Sequence, residues 1–285
     1  MTCVVSNEMA GGLSPVPAGE LVVGPLPAQG QVEFSLVVPT RNESHNLAEL
    51  IGRLTPAIAS EVGNSYEIIV VDDDSPDKTW QVAAAMAASD SHVVALRRMD
   101  ERGLATAVVR GWQAAHGKLL GVIDADLQHP PEVTAQLIAA MRAGADLAVA
   151  SREAEGGGVS DWSLLRLLIS RGSRALGKLL LPGVLGLVSD PMTGFFVIRR
   201  TAIQDLLLAP CGYKILVEVL VRARIQSIVE VGYVFRSRQR DQSKASVQVF
   251  VDYVHHLFRL RRGARARLGT PARARIQAKT TTAGK

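Results

Sequence analysis

The chain has 285 residues, 47% hydrophobic and 21% charged, enough for one globular domain with a proper core and short appendages. Its two cysteines, Cys3 and Cys211, exclude a disulfide framework and a cysteine-rich metal site, and set a reduced, cytoplasmic environment as the expectation. The net charge of +5 hides an asymmetry: from Arg259 to Lys285 there are seven arginines, two lysines and no acid, so the body of the chain is mildly acidic.

Residues 1–31 are rich in Gly, Pro and Ser without periodicity, which predicts a flexible extension. The first twenty residues lack the apolar core of a signal peptide and carry Glu8. Ordered structure is expected from "FSLVVP" (34–39). Short β-branched runs follow: "YEIIVVD" (66–72), "SHVVALRR" (91–98), "KLLGVID" (118–124) and "DLAVAS" (146–151). Segments such as "PDKTWQVAAAMAA" and "GLATAVVRGWQAAH" lie between them with helical character. Strands alternating with helices predict an α/β fold, a doubly wound and mostly parallel sheet covered on both faces.

Beyond residue 155, "EGGGVS" reads as a link into a C-terminal elaboration of the same domain. At about 100° per residue, Arg166, Ser170, Arg171, Arg174 and Lys178 share one arc of 162–181, opposite a leucine-rich arc. Such a stripe marks either a core-facing helix with a solvated basic face or a helix lying in a membrane interface. The apolar run "LLLPGVLGLVS" (179–189) falls short of the roughly 20 residues that span a bilayer. A last strand, "IVEVGYVFRSR", leads to a helix from about Val247 that includes His255 and His256. The domain is expected to run over 32–260, divided at about 152, with 261–285 as a basic disordered tail. Anionic lipid would attract that tail by about 1 kcal/mol per basic residue. No aromatic residue interleaves its charges after Phe258, so no nucleic-acid partner is expected.

In doubly wound sheets ligands bind at the carboxyl ends of the strands. Polar groups collect there: "PTRNE" after the first strand, "DDDSPD" after the second, "DADLQHPPE" after the fourth and "SR" after the fifth. Asp124 and Asp126 repel each other unless a cation lies between them. Carboxylates with the neutral oxygen of Gln128 suit Mg²⁺ or Mn²⁺. A helix cap by Asp126 or His129 before Pro130 and Pro131 also accounts for the prolines but not for Asp124. In "DDDSPD", Asp73 suits a ribose or base edge while Ser75 to Asp77 make an Asx turn and cap. No glycine-rich dinucleotide fingerprint or Walker loop is present, so phosphates fall to the metal and to Arg or Lys. His129 is expected to serve local packing.

From about Phe34 to about Leu260 the chain resembles the family-2 glycosyltransferases of A-type fold, most closely those that transfer mannose to dolichyl phosphate in the archaeal manner. The resemblance rests on "VVPTRNE", "IIVVDDDSPDKTW", "VIDADLQHPPEV", "SR", "LLRLLISRG", "DPMTGFF", "GYKILVEVL" and "RSRQRDQSK", in that order. It implies a nucleotide-sugar half over about 32–152, an acceptor half over about 153–260 whose stripe at 162–181 lies in a membrane interface, and a nucleotide pocket lined by Pro39, Arg41, Glu43, Val71 and Asp73. Asp124, Ala125, Asp126 and Gln128 would meet the diphosphate and the metal, with Asp126 and Gln128 as direct ligands. Arg238 and Lys244 would close over the donor, and Arg152, Arg166 and Ser170 would hold the acceptor phosphate. The chain departs from the family in having Arg41 for Tyr, Ala105 for Gly and Asp241 for Gly.

The implied reaction is inverting transfer of mannose from GDP-mannose to dolichyl or polyprenyl phosphate, at the cytoplasmic face of a membrane the protein meets peripherally. Asp126, Arg152 and Arg238 are its expected catalytic residues. A UDP-sugar donor with the same mechanism, and a non-catalytic nucleotide-sugar or lipid-phosphate binder, are the alternatives.

Overall fold

The computed structural model describes residues 13–28, 30–159, 172, 177, 179–210, 212–236, 254–255, 257–261 and 275–278. In chain order the elements are β1 (Leu13–Ser14), β2 (Phe34–Thr40), α1 (Ser44–Val62), β3 (Tyr66–Asp72), α2 (Thr79–Ser89), β4 (Val93–Arg97), α3 (Leu104–Ala114), β5 (Leu119–Val122), α4 (Val133–Arg142), β6 (Leu147–Ser151) and β7 (Gly158–Val159). They continue with α5 (Pro182–Leu185), β8 (Phe196–Arg199), α6 (Arg200–Ile203), α7 (Ile215–Arg222), β9 (Ser227–Gly232), β10 (Val234–Phe235) and β11 (Arg275–Ala278).

β2 and β3 are buried at all seven positions, as strands covered on both faces must be. Alternate residues divide between two cores. Phe34, Leu36, Val38, Ile68 and Val70 face the layer of α1 and α4, meeting Leu47, Leu50, Leu54, Leu137 and Ile138. Val37, Ile69 and Val71 face Val108, Trp112, Leu216 and Val219 of α3 and α7. Gly111 lets α3 lie directly on β2: a Cβ there would stand 2.6 Å from both Val37 methyls.

Among the described residues one sheet has the order β1-β4-β3-β2-β5-β8-β6-β9-β11, and β10 pairs with β7. The chain builds outward from β2 through β3 to β4, then returns to place β5 on the other side of β2. That reversal opens a crevice at the carboxyl ends of β2, β3 and β5. β8 alone runs antiparallel, wedged between β5 and β6. Its first residue, Phe196, therefore pairs with Val122 near the end of β5 and with Val149 of β6. The loop before β8 is carried to the same edge as the loops after β5 and β6.

Two expectations need correction. Residues 13–28, expected within a flexible extension, form a strap. β1 adds in parallel to the β4 edge, Val22 bridges Leu207, and Val23 is fully buried. Its backbone carbonyls are held by side chains: Gly19 O by Arg110 (3.1 Å), Glu20 O and Val22 O by Gln113 (2.7 and 2.9 Å). In the tail, Arg275–Ala278 pairs in parallel with β9, whose outer edge otherwise offers unpaired backbone groups. Asp124 lies beyond the end of β5, where "DADLQHPPE" is expected to follow the fourth strand, just ahead of a turn after which Leu127 adopts φ 58°. The stripe at 162–178 falls almost wholly outside the described residues. Among those described, no helix is long and apolar enough to cross a membrane.

Candidate functional site

The loops after β2 and β3 are laced together because their strands are neighbours in register, Thr40 opposite Asp72. Backbone N–H groups of Asn42, Glu43 and Ser44 donate to Ser75 Oγ (3.0 Å), Thr79 Oγ1 (2.9 Å) and Asp77 Oδ2 (3.0 Å). Asp77 also accepts from the Thr79 N–H and hydroxyl at the start of α2, whose cap position is held by Lys78 without a side-chain cap hydrogen bond. The three carboxylates of "DDD" have separate duties. Asp72, fully buried, accepts from Thr40 Oγ1 (2.8 Å), Ser75 N–H (2.8 Å) and Ser75 Oγ (2.6 Å). Asp74 accepts from Arg97 (2.6 and 2.9 Å), whose guanidinium lies 3.8 Å over the Trp80 ring. Asp73 accepts from Arg98 Nε (2.7 Å) and Gly103 N–H (2.7 Å). Burial pushes its carboxyl above the usual 3.8, against the opposing pull of Arg98.

Pro39 and Val71 are buried and paired at the strand ends, and Arg41 Nη1 donates to the backbone carbonyls of Asp73 and Asp74. Glu43 is buried and accepts from Asn46 (2.8 Å) at the start of α1. All five residues expected around a nucleotide are thus brought together. Asp73 and Arg41 meet protein groups as well.

Asp124 to His129 cross the mouth of the crevice. Asp124 Oδ1 is buried and takes no hydrogen bond from any described residue. Its Oδ2 lies 3.5 Å from His129 Nε2. Gly194 presses on the same carboxylate: a Cβ at that position would stand 2.5 Å from Oδ2. Asp126 Oδ1 accepts the Gln128 N–H (3.2 Å), and Ala125 is buried in the α1–α4 core. Gln128 donates its amide to Arg236 O (3.0 Å), which leaves its side-chain oxygen as the other polar end. An unpartnered buried carboxylate oxygen with a carboxylate and an amide nearby in sequence fits a hard divalent cation. Among the described residues no group of three or more His, Cys, Asp and Glu converges. A cation here must therefore complete its shell with water or phosphate oxygens, the habit of Mg²⁺ and Mn²⁺.

His129 packs as expected, 2% exposed, with its ring centroid 5.1–5.5 Å from those of Phe195, Tyr233 and Phe235. α4 starts at Val133 with no side-chain cap, so the cap reading of Asp126 or His129 is not what the fold uses.

Arg152, just past β6, is gripped edge-on by Asp190: Nε to Oδ2 at 2.6 Å and Nη2 to Oδ1 at 2.7 Å. Burial alone would lower the arginine and raise the aspartate. The hydrogen bonds and charge between them outweigh it in both, holding Arg152 above and Asp190 below their ordinary values. Lys214, at the head of α7, donates to Met192 O (2.9 Å). Burial, then Arg152, pull the lysine below its ordinary value, and Asp124 and Asp190 oppose them. Asp124, Arg152, Asp190 and Lys214 thus form one charge cluster of balanced sign.

The sequence reading gave no role to Asp190, Gly194, Lys214 or Arg98. The first three lie in "DPMTG" and "GYK", and the signal was an Asp-Pro turn with Gly four residues on, placed directly before an apolar run. Arg166, Ser170, Arg238 and Lys244 lie outside the described residues.

The profile described as "Glycosyl transferase family 2" matches residues 35–207. The chain is 42% identical over 229 residues to the dolichol-phosphate mannosyltransferase of Pyrococcus furiosus, covering 80% of this chain and 64% of that one. It is 34% identical over 220 residues to the polyprenol monophosphomannose synthase of Mycolicibacterium smegmatis, covering 74% and 80%. The chain therefore spans under two thirds of the archaeal relative. In structure it is similar, with TM-score 0.59 and 19% identity over 81% of this chain and 80% of that one, to the glucosyl-3-phosphoglycerate synthase of Mycobacterium tuberculosis in complex with Mn²⁺, UDP-glucose and phosphoglyceric acid. The expected doubly wound fold is the one observed, and on the profile match and these identities the chain belongs to glycosyl transferase family 2.

Proposed function

We propose that this chain is an inverting hexosyltransferase that moves mannose from GDP-mannose to the phosphate of a dolichyl or other polyprenyl chain, giving a lipid-phosphate-linked sugar. The observation that carries this reading is the meeting, at one sheet edge, of the unpartnered Asp124 oxygen with the Arg152–Asp190 pair. It is supported by 42% identity to a dolichol-phosphate mannosyltransferase and 34% identity to a polyprenol monophosphomannose synthase. One end of the crevice suits a nucleoside diphosphate and the other an anionic acceptor.

Asp124, Asp126 and Gln128 would hold Mg²⁺ or Mn²⁺, which when bound neutralises the diphosphate as the glycosidic bond breaks. Mn²⁺ accompanies UDP-glucose in the structurally similar synthase. Pro39, Arg41, Glu43, Val71 and Asp73 line the nucleoside end, with Ala125 beside the diphosphate, and Arg238 and Lys244 close over the donor. A lipid monophosphate is already an anionic nucleophile near neutral pH, so the acceptor side needs cations that aim it at the anomeric carbon and no general base. Arg152 does this with Arg166 and Ser170, and Asp126, Arg152 and Arg238 are the catalytic residues. The acceptor places the enzyme peripherally at a membrane, on the cytoplasmic side, with the 162–181 stripe and the basic tail toward anionic headgroups.

The test is a donor panel. Purified protein with a short polyprenyl phosphate, with and without Mn²⁺, is offered GDP-mannose, UDP-glucose and other nucleotide sugars. Metal-dependent lipid-linked mannose from GDP-mannose is the expected product. A preference for UDP-glucose would move the donor assignment, and no transfer from any donor would remove the enzyme reading.

A further inference from the structure

Arg98, just past β4, is 2% exposed and is among the largest buried side chains of the described residues. Its guanidinium is shared among four partners. Nε donates to Asp73 Oδ1 (2.7 Å), Nη1 to Glu101 Oε2 (3.1 Å) and Thr106 Oγ1 (3.1 Å), and Nη2 to Gly103 O (3.0 Å). Gly103 N–H returns to the other oxygen of Asp73 at 2.7 Å, closing a ring of hydrogen bonds around that carboxylate. Gly103 has φ 126°, which favours glycine at this point. A guanidinium so engaged is placed to orient a neighbour, not to grip a ligand.

The network continues away from the crevice. Glu101 accepts from Arg110 Nε (3.0 Å) and Nη2 (2.5 Å), and Arg110 Nη2 reaches Gly19 O (3.1 Å) on the N-terminal strap. From the other side Ala105 N–H meets Gly212 O (3.3 Å), two residues before Lys214. Asp73, the 98–103 loop and the strap are therefore joined by an unbroken chain of hydrogen bonds, which ends on the Gly19 carbonyl. Burying an arginine this deeply carries a large desolvation penalty, and opposing charge repays it only where the geometry is good.

We infer that Arg98 is the positioning residue of the donor's nucleoside pocket: it fixes the Asp73 carboxylate and the 98–103 loop in the orientation that receives a nucleoside diphosphate, and the strap braces it through Arg110 and Glu101. This rests on the proposed reading of Asp73 as part of the donor site. Arg98 acts on the donor alone; the Arg152–Asp190 pair on the acceptor side has no member in the network.

The experiment uses the full chain with Mn²⁺ and measures GDP and UDP binding by calorimetry, alongside donor KM, acceptor KM and kcat. Arg98→Lys keeps a charge but loses the planar fork. It is expected to weaken GDP binding by about tenfold to a hundredfold, the worth of a misplaced charge-assisted hydrogen bond, and to raise donor KM in step. Acceptor KM stays within about twofold, and kcat at saturating donor falls less than donor KM rises. In an Asp73→Asn background Arg98→Lys adds little, since its effect passes through Asp73. Glu101→Gln, at a side chain 40% exposed and so tolerant of change, gives the same split at smaller size and decides the matter should Arg98→Lys not fold. Acceptor KM rising as much as donor KM, additive effects with Asp73→Asn, or unchanged GDP binding in the folded variants would overturn the inference. Wild-type protein that binds neither GDP nor UDP would instead sink the donor-site reading beneath it.

Discussion

Asp190→Asn removes one charge from a pair that has almost no water to turn to. Asp190 is fully buried and the Arg152 side chain is 12% exposed. Breaking a buried pair leaves its survivor uncompensated, at about 3–5 kcal/mol. Asparagine keeps the shape and one accepting oxygen, which places the loss at the lower end, about 3 kcal/mol. At about 2–4 °C per kcal/mol for chains of this size class, Tm should fall by roughly 6–12 °C at pH 7. Because the Asp190 carboxyl is held below the usual 3.8, its contribution is complete above that pH and disappears as the pH drops through the depressed value. Scans of wild type and variant should therefore converge under strong acid. Arg152→Met combined with Asp190→Asn should cost less than the two singles together, as no lone charge remains. Glu33→Gln, at the solvated Arg142–Glu33 pair, is the control and should shift Tm by at most about 2 °C, its pair being worth roughly 0–1 kcal/mol. A Tm for Asp190→Asn within about 2 °C of wild type at pH 7 would refute the reasoning.

Gly194→Ala places a methyl 2.5 Å from Asp124 Oδ2 and must displace that carboxylate; Mn²⁺ affinity, read by calorimetry, should weaken by about tenfold or more with the circular dichroism spectrum unchanged. Gly111→Ala drives a Cβ into both Val37 methyls and should destabilise by about 1–3 kcal/mol in a urea titration, with donor KM in the surviving folded protein near wild type. Asp126→Ala should reduce lipid-linked mannose formation by about a hundredfold or more, and EDTA should do the same reversibly to wild type, with Mn²⁺ or Mg²⁺ restoring activity.

The parallel core was legible because β2 to β6 are apolar runs separated by helical stretches, and their carboxyl ends announced themselves through "PTRNE", "DDDSPD" and "DADLQ". The grouping of Pro39, Arg41, Glu43, Val71 and Asp73 came from the family resemblance, and the register of β2 against β3 is what brings it about. Less accessible was the direction of β8: "FFVIRR" reads the same whichever way the strand runs, so the delivery of Asp190 and Gly194 to Arg152 and Asp124 could not be foreseen. The strap left no periodic signal because what holds it is its backbone, bonded by Arg110, Gln113 and Arg200 from distant elements. Arg98 was hidden for a related reason. A basic residue standing second in an exposed-looking "RRMDER" gives no hint that it will be buried against an aspartate.

The antiparallel strand also sets an order of events during folding. β2, β3 and β4 associate through short local crossovers, but β5 cannot gain its second neighbour until the chain has passed through β6 and come back from Asp190. The carboxylate at Asp124 therefore meets Gly194 only once the segment beyond β6 has been made. During synthesis, a half-made chain would hold the crevice wall that carries Asp72 to Asp74 while still lacking the one that carries Asp190 and Lys214.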